Sequence, residues 1–396
     1  MSVPATTART SGLPDSDRLF GVFTVGATGL LLITFVLVPL WAILKNSFVT
    51  PEGIGLDNFV RYFADARFLT VVGNTFEVGI SVTLTTLVLA YGFAYAVQRT
   101  CMPFKNVLRI IALLPVFSPS LVQALGLQFL LGRNGFVNRT FGTEIDIYGF
   151  WGIFISDAVY AFPHAFLILS TALAVADARL YESAESLGAG PWRIFRTVTL
   201  PGTRYGIASA AFVVFTIVIT DFGNPVVIGG NYSVLAVEIY NQVSGQANFA
   251  MGAVIGVLLL LPAALAVTGE KWIARRQFAS LTSQSVPLVP RPNQKRDVAW
   301  FAYSVLVAMA ILSLVAIVIY ASFVRLWPYN LSLSLRHYQF DVQNGIQPLW
   351  TSISVAILTA LLAIVFVTGA AYANHAFPMR ASRILYFLAI LPAAVP

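Results

Sequence analysis

Charge is scarce in this chain. Of its 396 residues only 10% are Asp, Glu, Lys or Arg, against about 25% in soluble domains. A water-soluble fold of this length is therefore excluded. There is one cysteine, Cys101, so no intrachain disulfide can form. The three histidines, His164, His337 and His375, are scattered and form no metal-ligand spacing. No G-x-x-x-x-G-K-[ST] loop occurs, and no paired nucleophile and base stand out, so neither ATP binding by that route nor catalysis is expected. No metal, cofactor or catalytic residue is assigned, and the chain is not read as an enzyme. Hydrophobic residues make up 58% of the sequence, and mean hydropathy is +0.79. The chain reads as an all-α polytopic membrane protein. The net charge of +7 does not point to nucleic acid, because the basic residues lie in short loops beside apolar runs and set topology instead.

A bilayer core about 30 Å thick takes roughly 20 apolar residues per helix. Spans are expected at about 19–44, 69–97, 107–131, 148–175, 205–227, 249–267, 298–323 and 348–373, with a ninth starting near Ile384. The first 18 residues, polar and carrying Pro14, Asp15 and Asp17, read as a disordered cytoplasmic tail. The first span is too long for a signal-peptide core and is expected to stay. With the N-terminus inside, 17 Lys and Arg fall in inner segments and 7 in outer ones. That bias fixes the expected orientation.

One inner loop is built for a purpose. Residues 182–201 read Glu-Ser-Ala-Glu-Ser-Leu-Gly-Ala-Gly-Pro-Trp-Arg-Ile-Phe-Arg-Thr-Val-Thr-Leu-Pro. Asp177 is placed to cap a helix. Leu180, Ala184 and Leu187 recur at helical spacing and make one apolar face. Gly188 suits a left-handed cap, and Pro191 suits the first turn of a second helix. Trp192, Phe195 and Val198 share a face of that helix, which Leu200-Pro201 should end. The bland alternative is a surface helical hairpin with no partner.

The loop resembles the coupling loop of permeases in binding-protein-dependent ABC importers. Their motif is E-A-A, three residues, Gly, nine residues, then I-x-L-P. Glu182, Ser183, Ala184, Gly188, Val198, Leu200 and Pro201 fall on that spacing without a gap, with Ser183 standing for Ala and Val198 for Ile. The resemblance implies the type I importer permease fold, with six helices per half and alternating access. It implies a multi-pass protein of the bacterial inner membrane, a separate cytoplasmic pair of ABC ATPase subunits docked on 182–201, and a periplasmic or extracellular binding protein that delivers substrate.

The chain also repeats itself. A shift of 277 residues places Gly92-Phe93-Ala94-Tyr95-Ala96 on Gly369-Ala370-Ala371-Tyr372-Ala373, Leu114-Pro115 on Leu391-Pro392, and Pro119 on Pro396. This reads as two fused permease halves: a tail at 1–18, a first half at 19–269 with its coupling loop at 177–201, a basic, proline-rich linker at 270–297, and the start of a second half at 298–396. The second coupling loop would begin near residue 459, so the chain is expected to be a fragment or the product of a truncated gene.

Charge inside a span is costly and faces protein or water. Asp157, His164, Asp221 and Asn224 are the substrate-path candidates, with Glu77 as a further intramembrane carboxyl. Pairing between helices for packing is the other reading of them. The turn-rich stretch from Gly223 to Asn231, and polar groups such as Gln242 and Gln246, would sit near the outer mouth. Residues 220–230, 238–240 and 248–253 are similar to permeases for 2-aminoethylphosphonate, which makes a phosphonate the expected substrate and ferric iron the alternative. A secondary transporter or channel would account for the helices but not for the loop, and the repeats here are parallel. A membrane enzyme would need clustered catalytic groups, which the sequence lacks.

Overall fold

The computed structural model describes residues 15–279, 286, 288–339 and 345–376. The ninth span expected near Ile384 lies outside them. Helix α1 (Asp15–Leu32) begins inside the stretch read as a tail and passes through a π-helical turn into α2 (Val38–Phe48). A hairpin of β1 (Val49–Thr50) and β2 (Gly53–Ile54), then α3 (Asp57–Ala64), lead to the long α4 (Phe68–Arg99). Next come α5 (Lys105–Leu113), α6 (Ser120–Leu131), α7 (Phe136–Phe141) and α8 (Phe150–Ala174). The polar excursion holds α9 (Ala178–Ser186) and α10 (Pro191–Ile194), followed by α11 (Leu200–Ile219), α12 (Gly223–Ile228), α13 (Leu235–Tyr240) and α14 (Phe249–Ala279). After the linker come α15 (Gln294–Phe323), a hairpin of β3 (Val324–Leu326) and β4 (Asn330–Leu333), and α16 (Gln347–Ala376).

Among the described residues, seven helical stretches are long and apolar enough to cross a membrane, or eight if one bent pair counts as a span. Two of the expected spans need correction. The run at 107–131 is not one rod: Lys105–Phe117 and Ser120–Phe141 meet at 106°. Pro115 and Pro119 remove two N–H donors, and the residue before a proline is pushed out of the α region. Ser118 obeys, with φ −124° and ψ 143°. The buried Gln123 amide closes the break, its nitrogen 2.7 Å from the Pro119 carbonyl and 2.8 Å from that of Ser120, while its oxygen accepts from Ser118 Oγ at 2.9 Å. The run at 205–227 is the second correction: the spanning stretch runs Pro191–Ile219, and residues 223–228 form the separate α12.

The described chain divides into two compact units, one holding α1 and α16 and the other running Asn46–Tyr338. In the second unit α8 packs against α4, α6 and α11. Phe93, toward the C-terminal end of α4, is fully buried, and its ring meets Phe162 and Phe166 edge-on at 5.6 and 5.3 Å. Helix α15 lies in this same unit against α4, α5 and α6. It buries Ser304, Val307, Ala308, Ile311 and Leu314, a stripe at helical spacing. Gly126 lets α6 approach: a β-carbon there would lie 2.5 Å from the Leu314 backbone oxygen. Small residues at such crossings are how membrane helices pack closely.

These units do not follow a division of the chain at residue 298. Under the 277-residue shift α1 falls on α15, and α4 on α16. Helix α1 packs on α16, and α15 packs on α4. Each unit therefore holds one helix of each pair that the 277-residue shift relates. The Tyr303 hydroxyl, for example, donates to the Leu89 carbonyl at 2.8 Å.

Candidate functional site

The 177–201 excursion is a compact knob at one end of α8. The Asp177 carboxylate accepts from the Arg179 N–H at 3.1 Å and caps α9, as the sequence predicts. Gly188 has φ +72°. Around it the Ala189 N–H donates to the Ala184 carbonyl at 3.0 Å and the Gly188 N–H to the Glu185 carbonyl at 2.9 Å, a paired closure of the helix end that needs the left-handed region. Pro191 opens α10. Leu200-Pro201 does not end the second helix, contrary to the sequence expectation. A π-helical turn at Phe195–Thr199 carries it straight into α11. The wider turn absorbs Pro201, which cannot make a regular bond to the residue four back.

The faces of the knob are divided. Ala178 and Tyr181 turn inward and are buried. Leu180, Leu187 and Trp192 are 60%, 86% and 72% exposed, so the predicted apolar face of α9 points away from the rest of the chain. Trp192 stacks on Phe195 with 5.5 Å between ring centroids. Glu182 and Ser183 are exposed beside them, and Ala184 and Val198 are half-buried. Val286 and Arg291 strap the knob. The Val286 carbonyl accepts from the Ala178 N–H at 2.9 Å, and Arg291 lies 3.6 Å from Glu185. A cavity of about 530 Å³ lies between knob and strap, with Arg99, Glu182, Glu185 and Arg296 in its walls.

The intramembrane candidates assemble only in part. Asp157 Oδ1 accepts from Asn224 Nδ2 at 2.7 Å, and the Asn224 N–H donates to Asp221 Oδ2 at 2.9 Å. Asp157 and Asn224 are fully buried. The three join α8 to the junction of α11 and α12. His164 lies farther along α8, half-buried beside Tyr160, with no hydrogen bond to this trio. Asn224 lies in the short helix at 223–228 and is fully buried. Gln242 also points elsewhere, donating to Glu238 at 2.9 Å in a buried pair.

A larger cavity, about 1120 Å³, opens at the end of α8 opposite the knob. Asn74, Arg133, Tyr148, Asn231, Tyr232 and Trp327 are among its lining residues. Tyr232 donates to Glu77 at 2.7 Å. Burial, then the Glu77 carboxylate, pushes the Tyr232 phenol above its ordinary value, so it remains a donor at neutral pH. This pair spans 155 positions and carries no local sequence signal; only a pairing of α4 with the 229–232 loop could have shown it.

Residues 87–279 match the family described as "binding-protein-dependent transport system inner membrane component". This segment belongs to that family. The permease segment contains the whole knob and both joined ends of the buried trio. A ferric transport system permease of Actinobacillus pleuropneumoniae is 26% identical over 389 residues, covering 93% of this chain and 56% of that one. A Haemophilus influenzae protein provisionally named for the same transport is 26% identical over 384 residues, covering 93% and 60%. This chain thus spans little more than half the length of these two relatives. A spermidine/putrescine permease of H. influenzae is 28% identical over 218 residues, half of this chain. The permease fold also matches a chain of a bacterial alginate ABC transporter, solved in complex with an alginate-bound periplasmic protein. That match has a TM-score of 0.55 and 19% identity, over 69% of this chain and 98% of that one.

Gly188→Val should separate folding from function. Nothing lies within 4 Å of an added β-carbon, so the cost is backbone strain alone, about 1–2 kcal/mol. The purified protein is expected to melt within a few degrees of wild type, while uptake by the intact system falls at least about ten-fold, the ratio that 1.4 kcal/mol represents. Equal uptake at equal expression would contradict the knob's role.

Proposed function

We propose that the chain is a permease subunit of an ATP-driven importer. Its 182–201 knob docks on a separate cytoplasmic ATPase, and a binding protein delivers substrate at the opposite end. The observation that carries this reading is the exposed apolar face of Leu180, Leu187 and Trp192, set on a polar loop that holds the motif from Glu182 to Pro201. Exposed apolar surface of that kind marks a contact site. ATP closure drives transport only if the docked, closed ATPase favours one arrangement of the helices over the other. A secondary transporter has no use for such a knob. The surrounding bilayer is the bacterial inner membrane, with the N-terminus and knob on its cytoplasmic side.

For the substrate, ferric iron replaces the phosphonate expected from residues 220–253. The two relatives that align over 93% of the chain are both named for ferric transport, and neither for phosphonate. The buried trio of Asp157, Asp221 and Asn224 serves the helix packing that shapes the path, and the 1120 Å³ cavity with Glu77 and Tyr232 at its edge is the outer vestibule. Hard oxygen donors there suit a ferric ion passing in ligated form.

Two measurements test these readings. A deletion strain should lose uptake of labelled ferric iron and keep growth on 2-aminoethylphosphonate as sole phosphorus source; the reverse pattern restores the phosphonate. In a Cys101→Ser background, an impermeant thiol reagent added outside should label Asn231→Cys and spare Ser183→Cys. Labelling of Ser183→Cys would invert the topology and remove the coupling role.

A further inference from the structure

The best-buried cation of the knob end is Arg99, the last residue of α4, only 5% exposed. A buried guanidinium costs several kcal/mol unless paired, so its contacts say what holds it. One Nη donates to the Leu173 carbonyl at 2.7 Å and to the Tyr181 hydroxyl oxygen at 3.3 Å. Its plane also lies over the Tyr181 ring, 5.0 Å from the centroid, an attraction that desolvation strengthens. The Leu173 carbonyl lies in the last turn of α8, where a cation is favoured. Tyr181 in turn donates to Thr199 Oγ1 at 3.1 Å. Thr199 closes the π-helical turn that feeds α11, and its carbonyl accepts from Thr203 Oγ1 at 3.0 Å. Thr203 pairs with the Tyr91 hydroxyl at 3.0 Å, which returns the chain of bonds to α4.

The network therefore fastens the inward face of α9 to three spanning helices at once. We propose that Arg99 is the positioning residue that transmits movement of the knob into α4, α8 and α11, with Tyr181 and Thr199 carrying the force on into the π-helical turn. This rests on the coupling role proposed above. A lysine would not serve, because it has no planar cationic face to lay on Tyr181 while a donor holds the Leu173 carbonyl. The π-helical turn suits the task, since such turns are where helices change register under load.

The test uses the whole transporter reconstituted with its ATPase subunits, with a fluorophore on Asn231→Cys in a Cys101→Ser background. The readout is the fluorescence change on adding ATP and vanadate, beside the rate of ATP hydrolysis. Arg99→Gln and Arg99→Lys should hydrolyse ATP at near wild-type rate yet lose the fluorescence change by about ten-fold, the ratio expected for one charge-assisted hydrogen bond. Tyr181→Phe keeps the ring and loses only the hydroxyl; it should fold normally and show an intermediate loss. Glu182→Lys, on the outer face, serves as the control for docking. If Glu182→Lys silences the response and the Arg99 and Tyr181 variants keep it, the transmitting role is overturned and the docking role stands. If Glu182→Lys leaves the response intact, docking falls, and this inference with it. Parallel loss of hydrolysis and response in Arg99→Lys and Tyr181→Phe would make Arg99 a mere fold determinant and also overturn the inference.

Discussion

A hydrocarbon interior offers no hydrogen-bond partner, so each backbone or side-chain polar group at that depth must find one in the protein. That constraint shapes the interior of the second unit. At the break between α5 and α6 it sets the buried Gln123 amide on the Pro119 and Ser120 carbonyls that open α6. It forces Asp157, Asn224 and Asp221 into one interlocked cluster. It also sets the Arg99 guanidinium on the Leu173 carbonyl near the end of α8 and over the ring of Tyr181. Asp157 with Asn224, and Arg99 with Leu173 and Tyr181, tie different helices together.

The consequence for function is a chain of stiff parts. The spans are rods, and their ends are joined by polar clamps. The knob has few degrees of freedom: its first helix is capped by Asp177, its turn is fixed by Gly188, and its second helix is continuous with α11 through the π-helical turn. On the proposed coupling role, a push on its exposed apolar face is passed to α11 and, through Tyr181, to the ends of α4 and α8. The strap at Val286–Arg291 adds a second attachment that leads directly to α15, which packs on α4 in the same unit.

Much of this was legible in the residues. Apolar runs of membrane length, the Asp177 cap, the left-handed turn at Gly188 and the start of α10 at Pro191 all rest on local chemistry, and the structure has them where the spacing placed them. Hydropathy could not show the break at 107–131, because a bent apolar segment is as apolar as a straight one; the prolines at 115 and 119 were the signal. The helix at 223–228 was hidden behind Gly223, Asn224 and Pro225, which read as turn formers until Asp157 gives Asn224 a buried partner. Glu77 with Tyr232, and Arg99 with Leu173 and Tyr181, are contacts across long stretches of chain. No periodicity reports them. The sharing of first helices between repeats is likewise a property of packing that the sequence repeat alone leaves open.

The outer face of α9 is the proposed meeting point with an ATPase subunit. The most direct measurement replaces Leu187, 86% exposed, with p-benzoylphenylalanine in cells expressing the whole system and identifies the photo-crosslinked partner by mass spectrometry. The account predicts an adduct with the ATPase subunit, absent when the same probe replaces Asn231. An ATPase adduct from the Asn231 probe, or none from Leu187 in an assembled and active transporter, would contradict it.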